Sequence, residues 1–167
     1  LSQCPKQIKY HILLHYLFDD IIFRFRTFFI PRSQTDQTYD ENFLFEICFG
    51  LKPAKYDTSN EDRLILDAED EVTDMYFIME GKVGIGYYLM TKGLSQDESH
   101  HFGIKLEKHS FICDYYVCFN KKSEFIYMAI SKINAYALSK KFLQEDIFPK
   151  YPQIANKIKQ GSEHRYM

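Results

Sequence analysis

Apolar side chains recur at steps of three and four along the first thirty residues of the chain. This stripe consists of Ile8, Ile12, Leu13, Leu17, Ile21, Phe25, Phe28 and Phe29. The spacing predicts amphipathic helix, either one long helix or two short ones with a bend near Asp19 and Asp20. Ser2 fits the N-cap position, and Pro5 fits the first turn. Because amphipathic helices are held by tertiary packing, we expect the stripe to pack on its own domain or on a neighbouring subunit.

A different pattern follows a polar, turn-rich segment at residues 31–42 and a helical run at 43–54. Short apolar runs, rich in branched and aromatic residues, alternate with polar or glycine-containing turns, as strands of a sandwich or barrel do. The runs occupy residues 63–67, 74–80, 82–90, 102–106, 124–131 and 133–139. Residues 91–101 are the most polar stretch within this block and are predicted to form an exposed hairpin loop.

Helical spacing returns after residue 138, through Phe142, Leu143 and Ile147. Prolines at 149 and 152 interrupt it, and apolar residues at 154 and 158 resume it. The order of helices, a compact block of strands and helices again predicts an α+β fold.

Composition limits the classes of function. A chain of 167 residues is one ordinary domain, long enough to bury about two-thirds of its unfolded surface. Because 21 Lys and Arg face 23 Asp and Glu, no overall charge favours nucleic acid or an anionic membrane. The most apolar stretch, residues 11–30, is broken by Asp19, Asp20, Arg24 and Arg26, and so falls short of the ~20 apolar residues of a spanning helix.

The cysteines indicate a reduced compartment. Cys4, Cys48, Cys113 and Cys118 have no CxxC spacing, and no signal peptide precedes them, so we expect a cytosolic protein. A chain that begins at Leu1 suggests a piece of something larger. A nucleophilic cysteine needs a base and an orienting group beside it, whereas Cys113 and Cys118 lie among aromatic residues. Buried, inert thiols are therefore expected.

Histidines gather at His100, His101 and His109, with Asp97 and Glu98 before them and Cys113 after. A zinc site needs three or four ligands on rigid supports, and a doublet in a loop without a second clustered pair favours a solvated loop instead. No metal site is predicted.

Phosphate-binding and catalytic motifs are missing from the sequence, which has no Walker loop, no GxGxxG and no GxSxG. Gly84 and Gly86 stand inside a predicted strand, where close packing or strand curvature explains them better than phosphate binding. The Asn-Lys-Lys run at 120–122 is too short for a nucleic-acid patch. We therefore expect that the protein is not an enzyme and has no catalytic residue.

Residues 70–83, DEVTDMYFIMEGKV, resemble a segment of cyclic-nucleotide-binding domains that reads GD or GE, a few residues, MYFI, a variable pair and GxV. Residues 41–56 resemble the short helix and first strand before it, and residues 139–152 the helix after it. The resemblance implies an antiparallel β-roll, a jelly-roll-like double-stranded β-helix, flanked by N-terminal and C-terminal helices. About eight short strands are expected between Leu64 and Leu138, with a helix from about Lys140 to Phe148.

The leading residues 1–11, together with the pair Phe28 and Phe29, resemble the end of the C-linker of voltage-gated channels of the cyclic-nucleotide-gated, hyperpolarisation-activated and ether-à-go-go types. The resemblance implies C-linker-like helices and a loop at 1–40 and a nucleotide-binding-like domain at 41–167, with the β-roll at about 51–138 and C-terminal helices at 139–160. It also implies a cytoplasmic regulatory domain of a channel, assembled as a homotetramer through the N-terminal helices, with other channel domains as partners and no membrane contact of its own.

The ligand chemistry of that family rests on a cassette, GxxxGE, a short helix and an Arg about nine residues later that meets the cyclic phosphate. Aligned without gaps from Ala129, the cassette has His109 and Cys113 for the glycines, Asp114 for the Glu and Ser123 for the Arg. The candidate site residues are therefore His109, Ser110, Phe111, Ile112, Cys113, Asp114, Lys122, Ser123 and Glu124.

These replacements predict weak or absent binding of cAMP or cGMP, because a hydroxyl cannot replace a bidentate guanidinium on a phosphate. Glu124 adds repulsion, and Lys121 and Lys122 are expected in a solvated loop. The protein's own Phe111 or Tyr115 would then fill the pocket. No cofactor is expected. One alternative is a soluble cAMP or cGMP sensor, like a kinase regulatory subunit, and another is a cupin-like metal enzyme on a similar roll.

Overall fold

The computed structural model describes residues 5–12, 15, 19–29, 40–59, 62–88 and 100–167. The chain divides into two compact units, one of residues 1–52 with 138–167 and one of residues 53–137. The predicted boundary near residue 40 stays a prediction.

The N-terminal half of the first unit is helical, as the apolar spacing predicts. Its helices are α1 (Lys6–Ile12), α2 (Asp19–Arg24), α3 (Arg26–Phe29) and α4 (Glu41–Phe49). The stripe is thus divided into short helices, and α2 begins at the expected bend. Ile21, Phe25, Phe28 and Phe29 are buried, whereas Ile8 is 50% exposed. Ser2, Leu13 and Leu17 lie outside the described residues. No helix in the described part of the chain has the length and apolarity that crossing a bilayer demands.

Asp40 begins α4 as an N-cap, since its carboxylate accepts hydrogen bonds from the amides of Asn42 and Phe43. The helix ends at Gly50, where a Cβ atom would lie 2.3 Å from the ring of Phe142. Only a residue without a side chain allows this approach.

The C-terminal half of the first unit contains a π-helix (Phe142–Ile147) and α6 (Pro152–Tyr166). The helix expected near 140–148 is present, and most of it has π geometry, which the sequence pattern did not indicate. Pro152 occupies the first turn of α6, and α6 continues to Tyr166, beyond the expected end at 160. Within this unit Tyr151 meets Phe43 edge-on at 5.5 Å.

Among the described residues, two four-stranded sheets form the roll. Its strands are β1 (Lys52–Tyr56), β2 (Leu64–Leu66), β3 (Asp74–Glu80), β4 (Val83–Tyr88), β5 (His100–Leu106), β6 (Phe111–Ile112), β7 (Ile126–Ala129) and β8 (Ile133–Ser139). Their orders are β1-β8-β3-β6 and β2-β7-β4-β5. The fold is the expected α+β fold with an antiparallel β-roll. β1 precedes the expected range of strands, and residues 126–139 form β7 and β8 rather than helix.

Strand alternation places the core. Met75 and Phe77 on β3 are 0% exposed, and Val83 on β4 pairs with Ala129 on β7 with both side chains buried. Gly81 joins β3 to β4 at φ 101°, and a Cβ there would lie 2.3 Å from the carbonyl oxygen of Lys132. The tight strand pair within residues 70–83 therefore depends on a glycine.

Gly86 marks an irregularity in strand pairing. The register between β4 and β5 shifts between Ile85 and Gly86, which agrees with the predicted curvature at the glycine pair. The polar segment expected as a hairpin loop lies, for residues 91–99, outside the described residues, whereas His100 and His101 belong to β5.

Candidate functional site

Residues 109–124, called the cassette below, connect β5 to β7. The cassette contains β6 and a six-residue helix, α5 (Asp114–Phe119). β6 pairs with β3 through Tyr76 with Ile112 and Phe77 with Phe111. The region that the sequence assigns to ligand binding is therefore built on a strand whose Met75, Phe77 and Ile78 are buried.

The two glycine positions of the cassette keep a glycine-like backbone. His109 has φ 71° and Cys113 has φ 68°, in the left-handed region that residues with a Cβ atom rarely occupy. Glu69, directly before the acidic lead-in at Asp70, has φ 66°. The two side chains that the alignment places at glycine positions therefore both lie on left-handed backbone.

Reciprocal hydrogen bonds hold the start of the cassette. The amide of His109 donates to the carbonyl of Ile78 at 2.7 Å, and the amide of Ile78 donates to the carbonyl of Ser110 at 2.8 Å. His109 is exposed and Ser110 is half-buried. Both backbones are fixed to β3, so this segment does not depend on a ligand for its position.

A second reciprocal pair holds the end of the cassette. The amide of Ser123 donates to the carbonyl of Asp70 at 3.0 Å, and the amide of Glu69 donates to the carbonyl of Ser123 at 2.7 Å. Lys122 and Glu71 form an antiparallel bridge beside them. The residues at the Arg position thus form a short two-stranded connection with the turn before β3.

Ser123 is only 1% exposed, and its hydroxyl donates to the carbonyl of Phe125 at 2.6 Å. A hydroxyl used in this way is not available to an outside acceptor. The position that carries the phosphate-binding Arg in the resembled family holds here a short, buried and hydrogen-bonded side chain.

The lysines near the end of the cassette lie at its surface. Lys121 donates to the hydroxyl of Tyr115 at 3.1 Å and lies 5.3 Å from the centre of that ring. Lys122 and Glu124 are exposed, and Asp114 is half-buried in the first turn of α5. The cations therefore lie on the outer side of the loop.

Tyrosines, which the sequence reasoning did not single out, surround Cys113. Tyr116 on α5 meets Tyr127 on β7 edge-on at 6.4 Å, and Tyr56 on β1 meets Tyr76 on β3 at 5.9 Å. Burial raises the pKa of Tyr76 and Tyr127, and the hydrogen bonds that their hydroxyls donate to Tyr56 and Tyr116, respectively, raise it further. The sequence did contain a signal for Tyr76 and Tyr127. The predicted strand segments MYFI and IYMA each include a tyrosine, and the two strands belong to different sheets.

Acidic residues near Cys113 act in the same direction as burial on the pKa of its thiol. Burial is the main cause that raises the pKa of the Cys113 thiol, and the carboxylates of Asp114 and Asp74 raise it further. The buried thiol is thus protonated and unreactive, as predicted. Burial likewise raises the pKa of Cys48 to about 12, and Cys118 is also buried.

The side chains proposed to fill the pocket lie near the cassette ends. Phe111 packs at 6.0 Å from Phe77, and Tyr115 packs at 5.0 Å from Phe119. Both are half-buried, whereas Tyr116 and Tyr127 near Cys113 are buried. Ile112, the remaining cassette residue, is buried in the core.

Metal ligands do not converge among the residues that the structure describes, since no group of three or more His, Cys, Asp or Glu side chains forms a candidate cluster there. Asp97 and Glu98 lie outside those residues. Near Cys113, the carboxylates of Asp74 and Asp114 disfavour an additional negative charge.

Neither a protein-family model nor a curated protein matches the sequence. Solved structures do match the fold. The structure of the C-linker/CNBHD of zELK channels, crystallised in the presence of cAMP, has a TM-score of 0.66 at 15% identity, over 98% of this chain and 72% of that chain. A "putative cAMP-binding regulatory protein from Silicibacter pomeroyi DSS-3" has a TM-score of 0.58 at 9% identity, over 76% of this chain and 54% of that chain.

One neighbour is described as part of a channel and the other as a putative cAMP-binding regulatory protein, and the chain spans about half the length of the bacterial one. At these identities the likeness concerns the fold. Two sheets in the observed order, the cassette between β5 and β7 and the helices before and after the roll together give this chain the fold of cyclic-nucleotide-binding domains.

Proposed function

We propose that this chain is the cytosolic regulatory domain of a voltage-gated cation or potassium channel, of the cyclic-nucleotide-binding homology type, and that it binds cAMP and cGMP weakly or not at all. The observation that carries the second part is Ser123, which stands at the phosphate-binding position, is buried and donates its hydroxyl to the carbonyl of Phe125. The role is regulatory and not enzymatic.

The loss of the Arg has a magnitude. A hydrogen bond to a charged group contributes roughly 1.5 to 3 kcal/mol, and a fork of guanidinium donors on a phosphate makes two. At the lower figure, loss of one such hydrogen bond weakens binding about tenfold, and loss of two weakens it about a hundredfold. Asp74, Asp114 and Glu124 near the same loop add repulsion rather than attraction for an anion.

The channel context is supported by two observations. The N-terminal residues resemble the end of a C-linker, and the likeness to the C-linker/CNBHD of zELK channels extends over 98% of this chain. We propose a C-linker-like part at residues 1–40 and contact with other channel domains. Self-association would use the N-terminal helices. Ile8, which is 50% exposed, would contribute to the contact, whereas Ile21 and Phe25 are buried.

The alternative function is a soluble sensor that binds cyclic nucleotide tightly, which the likeness to the bacterial cAMP-binding regulatory protein favours. Isothermal titration calorimetry with cAMP and with cGMP separates the two functions. We expect no heat that fits a submicromolar dissociation constant, because loss of a charge-assisted contact weakens binding by about one to two orders of magnitude. Submicromolar binding of either nucleotide would overturn the proposal in favour of the sensor.

A further inference from the structure

Strained backbone is concentrated at the cassette. Among the residues that the structure describes, four non-glycine residues have positive φ, and they are Glu69, His109, Cys113 and Asn120. His109, Cys113 and Asn120 belong to the cassette. The amide of Glu69 donates a hydrogen bond to the carbonyl of Ser123. Left-handed backbone is unfavourable for a residue with a Cβ atom and persists only where the surrounding structure holds it.

The surrounding structure holds it at both ends. Ile78 pairs reciprocally with the His109–Ser110 segment, and Ser123 pairs reciprocally with the turn at Glu69 and Asp70. Between them, the hydroxyl of Tyr116 accepts a hydrogen bond from the amide of Glu124 at 3.4 Å. None of these bonds uses a ligand.

The pair at Ser123 differs from an ordinary surface turn because of its burial. Ser123 is almost completely buried, both of its backbone polar groups are paired, and its side chain bonds to Phe125. A buried donor that loses its partner carries the full cost of desolvation. Opening this connection is therefore unfavourable, and its amides should be protected from solvent.

We propose that the reciprocal hydrogen bonds between Ser123 and the Glu69–Asp70 turn form a latch that holds the strained cassette in a single conformation. This inference rests on the proposed function, since it explains how a domain with a degenerate site keeps its cassette ordered. Regulation would then pass through the outer surface of the domain, with the cassette acting as a fixed support rather than as a ligand-driven switch.

Hydrogen exchange measured by NMR on the nucleotide-free protein tests the latch at the amides of Glu69 and Ser123. We expect both to exchange as slowly as the amide of Ile78 in β3. The Ser123→Ala variant removes the hydroxyl donor to Phe125 and should accelerate exchange at positions 69 and 123 by about tenfold, the factor that one hydrogen bond contributes.

Ser131→Ala is the matched control, because Ser131 also bonds through its hydroxyl to a backbone group, accepting from the amide of Lys82 at 2.9 Å. Exchange at positions 69 and 123 should be unchanged in this variant. Fast exchange at both positions in the unmodified protein would overturn the latch, even if the Ser123→Ala variant did not fold. Equal exchange in the folded Ser123→Ala variant and the unmodified protein would also overturn it.

Addition of saturating cAMP separates the latch from the proposed function. Exchange at the two amides should stay the same, and a further slowing across residues 109–124 would overturn the latch by showing a cassette that responds to ligand. Tight calorimetric binding with unchanged, slow exchange would leave the latch standing and overturn the proposed function. Absence of calorimetric binding together with fast exchange would overturn the latch and leave the proposed function standing.

Discussion

His109 and Cys113 stand on either side of β6, and both have the left-handed backbone that glycine adopts freely, with φ of 71° and 68°. One side chain is exposed and the other is completely buried. The roll therefore imposes the conformation from outside, since two chemically different residues adopt it at the two positions.

Replacement of His109 by glycine should stabilise the protein. Glycine relieves a left-handed conformation that costs roughly 1 to 2 kcal/mol for other residues, although it loses part of this gain through greater freedom of the unfolded chain. We expect the free energy of unfolding, measured by urea denaturation, to be about 1 kcal/mol higher for His109→Gly than for His109→Ala. The alanine variant is the control for lost side-chain contacts. Equal stability of the two variants would show that the backbone at 109 is not strained.

Gly81 should not tolerate a side chain. A Cβ atom would lie 2.3 Å from the carbonyl oxygen of Lys132, and φ is 101°, so Gly81→Ala combines a steric clash with strain. We expect a loss of about 3 kcal/mol or more in the free energy of unfolding, seen as a lower thermal midpoint.

Gly103 provides the control for that change, because a Cβ atom there would meet no atom within 4 Å. Gly103→Ala should change the free energy of unfolding by less than about 0.5 kcal/mol. Similar losses for the two variants would indicate a general intolerance of alanine in the roll and would contradict the specific role of the β3–β4 turn.

Alkaline pH should destabilise the fold through its buried acids. Burial raises the pKa of Tyr76 and Tyr127 above the ordinary 10.0 and that of Cys113 above 9.0. A raised folded pKa means that the contribution to stability is complete below the unfolded pKa and is lost as the pH rises through the folded pKa. Stability should therefore begin to fall above pH 9 to 10, as Cys113 and the tyrosines must stay neutral in the fold.

Tyrosinate absorbance and circular dichroism, followed together from pH 8 upward, check this dependence. The last tyrosines should ionise only together with loss of the circular dichroism signal. Tyr127→Phe keeps the ring and removes one acid, so its stability should fall less steeply with pH. Complete tyrosine ionisation with intact circular dichroism would contradict the assigned burial.

Restoring the family residues should improve nucleotide binding. Ser123→Arg supplies the guanidinium, and Cys113→Gly removes a buried side chain from a position already shaped for glycine. We expect the double variant to bind cAMP at least about tenfold more tightly than the unmodified protein by calorimetry, with lower stability because Ser123 is buried. Ser131→Arg, which places the same charge at the other end of β7, is the control. No gain in the folded double variant would mean that the gap-free alignment misplaces the phosphate position.

Strand alternation predicted most of the roll. The run at 74–80 alternates as β3 does, with Met75 and Phe77 completely buried, because a sheet with one covered face imposes a period of two. The π geometry at 142–147 was not predictable from apolar spacing, because six residues span fewer than two turns, too few to distinguish i→i+5 from i→i+4 hydrogen bonding.

The sequence proposes which residues form the candidate site, and it does not predict their conformation. Alignment placed His109, Cys113 and Ser123 at the family positions, but side-chain identity does not show that a non-glycine residue keeps a left-handed backbone. The burial of Ser123 and the tyrosines around Cys113 arise from contacts between residues far apart in sequence, such as Ser123 with Asp70. Such contacts leave no local periodicity.

β5 is an outer strand of its sheet, and Gly103, Ile104 and Lys105 are exposed along it. An exposed strand edge invites pairing with the same edge of another molecule, and a charged side chain on that edge opposes it. Ile104, 56% exposed, increases this tendency, and Lys105 beside it decreases it. Colloidal behaviour at high concentration will therefore depend on the charge at position 105, and a neutral residue there would convert a stable fold into one prone to edge-to-edge aggregation.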